Sequence, residues 1–268
     1  MEKNEIFRRL WEQYSTMNPS VQTVHDLFLK EGEIVENDHI AFRTFDYEEV
    51  NIDKLAKPFI KAGYTYKMDY HFEKKKLYAK HFEHSSDEKA PRIFISQLKT
   101  GSFSKFLQDT IKEAVSKIPL NILDSDEIVF AGNCWGQPSY DVYNKLRKES
   151  EYAAWLYVYG FTVNHFTVSV NALNKYDTVP KVNQLLKDNG FLINDSGGEV
   201  KGAPKQLLEQ SSIKAEMIDV GFTEGNFRIP GCYYEFAKRY PDASGKLYSG
   251  FIAKSADRIF ESTDFYKK

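Results

Sequence analysis

The sequence predicts an α+β fold in which duplicated β-α-β-β-β units form a curved mixed sheet, with added helices. Three observations predict it. Two strand-like runs begin alike, Asp38-His39-Ile40-Ala41-Phe42-Arg43-Thr44 and Asn164-His165-Phe166-Thr167-Val168-Ser169-Val170, each with histidine at its second position. A helix-like stretch follows each run and stops at a glycine, Gly63 and Gly190, 24 and 25 residues after the respective histidine. Further strand-like runs then complete each copy. A near-equal period of this kind is the mark of an internal repeat.

Each element has a local reason. Ile6, Phe7, Leu10, Trp11 and Tyr14 recur at helical spacing over residues 5–16. Asn18 offers a cap and Pro19 a first-turn proline for a second helix ending near Gly32. After the His39 strand, Asn51 opens a helix with Ile52, Leu55 and Phe59 on one side, interrupted by Pro58. Lys76–Glu83 and Arg92–Leu98 read as strands around a polar loop, and Lys74-Lys75-Lys76 as a solvated hairpin turn. Ser102 is expected to cap a helix reaching Lys117, residues 118–137 to be irregular, and one helix to run from Ser139 to Tyr157. In the second copy a helix spans 177–188, Ser196-Gly197-Gly198 makes a turn, and residues 214–222 and 232–239 are strands. One strand in each copy stays unresolved. The expected organisation is a single domain over 1–268, with a first repeat at 33–100, a helical insert at 101–158 and a second repeat at 159–263.

Composition narrows the function classes. With 42% hydrophobic and 15% aromatic residues the chain of 268 can bury a sizeable core. Its 36 basic and 38 acidic residues are interspersed without a basic stripe, so no nucleic-acid partner is expected. The charged start Met1-Glu2-Lys3-Asn4-Glu5 lacks the apolar run of a signal peptide, and no segment is long enough for a membrane span. Two widely spaced cysteines, Cys134 and Cys232, read as free thiols. A cytoplasmic location follows as the expectation.

Strand alternation sorts the polar residues by face. His39, Ala41 and Arg43 share one face of the first run, His165, Thr167 and Ser169 one face of its counterpart, and Tyr233, Glu235, Ala237 and Arg239 one face of the last strand. A lone strand histidine needs no more than a hydrogen-bond partner. Two at matching repeat positions, with Glu235 on a third strand, suit the two-histidine, one-carboxylate metal site of non-haem Fe(II) oxygenases, which leaves coordination positions open. Arg92–Leu98, the first copy's equivalent of the Glu235 strand, has no acid or histidine within Ile93–Leu98 to close the site. Arg43, with its Cα about 13 Å along the strand from that of His39, could pair with a substrate carboxylate. Glu235 has a rival role as the ion-pair partner of Arg239. His81 is the reserve ligand, and His25, His71 and His84 are assigned to the surface.

These residues carry a family resemblance. His39-x-x-x-Arg43-Thr44, the run Tyr159 to Thr167, Tyr233-Tyr234-Glu235-Phe236-Ala237-Lys238-Arg239 and the stretch Gly250 to Ser262 resemble the 2-oxoadipate dioxygenase/decarboxylase family, from about residue 20 to residue 263. The resemblance implies a fold related to vicinal-oxygen-chelate proteins and to 4-hydroxyphenylpyruvate dioxygenase. It implies Fe(II) as cofactor, with His39, His165 and Glu235 as ligands and Arg43 and Ser255 as substrate-binding residues. Lys254 departs from an apolar residue of characterised bacterial members. The implied partners are a small 2-oxo acid and O2, and the implied products from 2-oxoadipate are 2-hydroxyglutarate and CO2, a step of lysine breakdown. Two other classes remain open: a metal-dependent isomerase or lyase of glyoxalase type, and a binding protein without turnover.

Overall fold

Asn18 separates the first two helices, α1 (Lys3–Met17) and α2 (Pro19–Lys30), with proline in the first turn of α2. Its side chain does not cap α2; Asn18 Oδ1 instead accepts the backbone N–H of Cys232 at 2.7 Å. The computed structural model describes residues 1–252 and Thr263.

The first repeat comprises β1 (Asn37–Phe45), α3 (Ile52–Lys61), β2 (Tyr64–Phe72), β3 (Leu77–His84) and β4 (Arg92–Leu98). Asn51 caps α3 by accepting from Lys54 N, and Pro58 lies within the helix without ending it. The helix stops where Gly63 takes a φ of 99°, a conformation that costs glycine little. Four helices follow: α4 (Lys105–Ser116), α5 (Leu120–Leu123), α6 (Tyr140–Glu149) and α7 (Glu151–Tyr159). The second repeat comprises β5 (Val163–Ser169), α8 (Val179–Asp188), β6 (Lys201–Ala203), β7 (Leu208–Ser212), then a hairpin of β8 (Met217–Phe222) and β9 (Gly225–Pro230), and finally β10 (Glu235–Arg239). Helix α8 also ends at a left-handed glycine, Gly190 with φ 84°. The class is α+β.

Two compact units emerge. The first holds Met1–Tyr14, Ala41–Asn164 and Ile218–Ile229; the second holds Ser15–Ile40, His165–Met217 and the described residues from Pro230 onward. In the first unit the strands run β2-β3-β4-β1, and in the second β6-β7-β10-β5. Each copy therefore orders its own strands second, third, fourth, first. The start of β1, including His39, belongs to the second unit.

Within the second unit, β10 pairs parallel with β5, Glu235 opposite Thr167, and antiparallel with β7, Glu235 opposite Ser212. Phe236 packs its ring 5.9 Å from that of Phe28 on α2, and α8 packs on β7 and β10. Burying each of these phenylalanines stabilises the fold by about 1.5–3 kcal/mol. With Phe236 committed to that apolar layer, alternation turns Glu235, Ala237 and Arg239 to the other face. That is what positions the site.

Several expectations need correction. Ser104, not Ser102, caps α4, accepting from Leu107 N. The single helix expected over 139–157 is broken at Ser150, whose extended backbone ends α6 and whose hydroxyl caps α7. Residues 217–222 form no part of the second unit's sheet; they pair with β9 as a separate two-stranded sheet in the first unit, and the third strand of the repeat is β7. Among the described residues no helix is long and apolar enough to cross a membrane. Both cysteines are free.

Candidate metal centre

Three side chains of the second unit converge. A donor atom of His39, one of His165 and one of Glu235 all lie within 4.8 Å of one another, and all three residues are buried. His165 Nε2 is 3.2 Å from Glu235 Oε2, and His39 Nε2 is 3.5 Å from Glu235 Oε1. The imidazoles stand nearly perpendicular, at 85° with centroids 5.5 Å apart. Each comes from a different strand, and the pairing of β10 with β5 fixes the spacing of Glu235 and His165.

The surroundings orient each donor. Asp38 Oδ1 lies 2.7 Å from His39 Nδ1. Arg239 donates to both oxygens of Asp38, Nε to Oδ2 at 2.6 Å and Nη2 to Oδ1 at 2.9 Å, the paired geometry of a guanidinium on a carboxylate. With the proton on Nδ1, His39 donates to Asp38 and turns the lone pair of Nε2 toward Glu235. The Thr167 hydroxyl lies 3.0 Å from the same Nε2. Gln210 Nε2 donates to Glu235 Oε1 at 2.5 Å. The Tyr233 ring stacks on His165, centroids 4.7 Å apart, and Phe251 meets His39 edge-on at 4.8 Å.

Burial pushes the Glu235 carboxyl up to about 8, and Asp38 adds to the rise; Gln210, Arg239 and Lys201 oppose it. A buried carboxylate raised chiefly by desolvation and facing two imidazole nitrogens offers the donor set of a cation site. Two neutral imidazoles and one carboxylate suit a borderline divalent ion.

The other expected residues fall elsewhere. Arg239 pairs with Asp38, so the rival role of Glu235 as its ion-pair partner is overturned. Arg43 belongs to the first unit, where it is buried. Its Nη1 donates to Glu151 Oε1 at 3.2 Å, and its guanidinium carbon lies 4.9 Å from the ring centroids of both Tyr152 and Trp155. His81, the reserve ligand, belongs to the first unit, where Tyr70 Oη sits 2.8 Å from its Nδ1 and Glu83 Oε1 3.1 Å from its Nε2. His71 is exposed, but His84 serves a turn, its Nδ1 accepting from Asp87 N. Ser255 and Lys254 lie outside the described residues. Sequence reasoning missed Asp38 and Gln210, and named Thr167 only as sharing a strand face with His165. Arg239 on the Glu235 face of its strand was the available signal for Asp38, since a guanidinium on an inward face requires a carboxylate partner.

The profile of the family described as 2-oxoadipate dioxygenase/decarboxylase matches residues 6–245. The rice protein named 2-oxoadipate dioxygenase/decarboxylase, chloroplastic/amyloplastic is 33% identical over 96% of this chain and 78% of its own length; the chloroplastic Arabidopsis thaliana counterpart is 33% identical over 93% and 74%. Among solved structures, rice hydroxyglutarate synthase in complex with 2-oxoadipate superposes with a TM-score of 0.89 at 31% identity, covering 97% of this chain and 91% of that one. A Shewanella frigidimarina protein described provisionally as a hydrolase gives 0.89 at 46% identity, covering 94% and 98%. A glyoxalase-superfamily protein of Ralstonia eutropha, at 19% identity and 0.74 over 90% and 83%, shares the fold, which is thus vicinal-oxygen-chelate-like. This chain belongs to the 2-oxoadipate dioxygenase/decarboxylase family.

Proposed function

We propose that this protein is an Fe(II)-dependent dioxygenase that converts a 2-oxo dicarboxylic acid, 2-oxoadipate in the first instance, and O2 into 2-hydroxyglutarate and CO2. One observation carries the reading: two imidazole nitrogens and one carboxylate, all buried, converge on a point small enough for a single ion. Family membership and the likeness to a rice enzyme bound to 2-oxoadipate support the substrate. Fe(II) held by these residues would supply open positions at which the 2-oxo acid could chelate and O2 be activated.

The chain's own residues do the rest. His39, His165 and Glu235 hold the ion and neutralise part of its charge. Burial of all three keeps bulk water from the reacting atoms. Arg43 is assigned the distal carboxylate of the substrate. Its rigid fork suits two parallel hydrogen bonds, and Glu151, Tyr152 and Trp155 hold the guanidinium in place. Ser255 is assigned a second contact with the substrate. Both atoms of O2 end in the products, so no side chain has to supply or remove a net proton.

The near-identical strand order of the two copies supports residues 33–100 and 159–263 as a duplication. The two free thiols support a reducing compartment, and the cytoplasm is the reading proposed. The testing experiment loads the protein anaerobically with Fe(II) and screens 2-oxo acids for O2 uptake and CO2 release. Uptake with 2-oxoadipate and equimolar CO2 is expected. Turnover of a glyoxalase-type substrate with Ni(II) or Zn(II), without O2 consumption, would replace this reading with an isomerase.

A further inference from the structure

Outside the three donors, the guanidinium of Arg239, 2% exposed, donates to several acceptors at once. Besides gripping both oxygens of Asp38, it donates through Nη1 to the carbonyls of Tyr248, at 2.9 Å, and Gly250, at 2.7 Å. Its carbon lies 5.1 Å from the ring centroid of Phe251, the same ring that meets His39 edge-on at 87°. His39 is thus held twice. Asp38 grips Nδ1, and Phe251, delivered by the chain segment that Arg239 anchors, bears on the ring.

We infer that Asp38 and Arg239 form a positioning pair for the metal centre, fixing the tautomer and the orientation of His39 so that Nε2 meets the ion. The inference rests on the metal reading of His39, His165 and Glu235 proposed above. Its physical basis is general. A ligating imidazole whose other nitrogen donates to a carboxylate is locked in one tautomer and made more basic, and losing such a partner typically weakens metal binding 10–100-fold. A buried ion pair is also a weak source of stability, because desolvation offsets most of its attraction. Packing alone could be met by apolar side chains; an oriented imidazole could not.

The test measures Co(II) affinity by calorimetry and the visible spectrum of the Co(II)-loaded protein. Wild type, Asp38→Asn and the double variant Asp38→Asn/Arg239→Met are compared, with metal-free melting alongside. Asp38→Asn is expected to bind Co(II) roughly 10–100-fold more weakly with a shifted spectrum. The double variant, freed of an uncompensated buried charge, is expected to melt higher than the single variant yet keep the weak affinity. Affinity and spectrum unchanged in Asp38→Asn would overturn the inference, as would full recovery of affinity in the double variant. Wild type that takes up no Co(II) would instead overturn the metal reading itself. Should the variants fail to fold, long-range 1H–15N correlation on wild type loaded with Zn(II) decides: a proton on His39 Nδ1 is expected, and one on Nε2 contradicts the inference.

Discussion

The first and second units each bury a histidine among strands, and they use it differently. In the first, His81 has one nitrogen against the Tyr70 hydroxyl and the other against Glu83, a carboxylate flanked by Lys67 and Arg92 at 3.8 Å. Both ring nitrogens are engaged by separate neighbours. In the second, the Nε2 atoms of His39 and His165 point to one carboxylate, while His39 Nδ1 is occupied by Asp38. Burial alone does not make a ligand. What distinguishes the second unit is convergence, two nitrogens and two oxygens aimed at a common space.

Removing one member from each group separates the two roles. Glu235→Ala should abolish retention of Fe(II) or Co(II), read as metal content after dialysis, and activity with it. His81→Phe should leave metal content at the wild-type level. It should still cost about 1–3 kcal/mol in urea unfolding, because the Tyr70 hydroxyl and Glu83 lose a buried partner. If His81→Phe emptied the protein of metal, the contrast between the units would collapse.

Arg43→Lys comes next in size. The bidentate fork is lost while the charge stays, so KM for 2-oxoadipate should rise roughly 10- to 100-fold with kcat much less affected. Unchanged kinetics would remove Arg43 from substrate binding.

A subtler comparison lies within the second unit, between its buried carboxylates. Glu235 is pushed up to about 8, chiefly by burial. Glu33 is buried too, yet held below the ordinary carboxylate value: burial raises it, and hydrogen bonds from the backbone N–H groups of Asn174, Lys175 and Tyr176 outweigh that. The signs are opposite. Between the ordinary value near 4.5 and about 8, the folded metal-free protein retains a proton on Glu235 that the unfolded chain has lost. Its stability should therefore be greatest below that window and fall as pH rises through it, by on the order of a few kcal/mol. Loading with metal should flatten the loss, and metal affinity should climb with pH because binding expels the proton. Glu33 contributes in the other sense, adding stability that is present at neutral pH and lost in acid. Glu33→Gln should cost about 1 kcal/mol at pH 7 and progressively less as pH drops, measured by thermal melting.

How far the sequence exposed all this follows from the physics of each element. The three donors were legible because a repeat places His39 and His165 alike and alternation puts Glu235 on the polar face of its strand. Helix ends at Gly63 and Gly190 were legible because few other residues tolerate a positive φ cheaply. Strand β2 was hidden because its middle, Thr65 to Asp69, is exposed and shows no alternation. Strand β8 was misplaced because an amphipathic run does not say which strand it will pair with. Asp38 escaped notice because residues adjacent on a strand point to opposite faces in the ideal geometry, yet here its carboxylate reaches the neighbouring imidazole at the strand's start.

The most direct test is a crystal structure of the protein loaded anaerobically with Fe(II) and 2-oxoadipate. A single ion about 2.0–2.2 Å from His39 Nε2, His165 Nε2 and a Glu235 oxygen, with the 2-oxo acid on its open side, is the result expected. An ion bound away from these three residues, or none at all, would contradict the account.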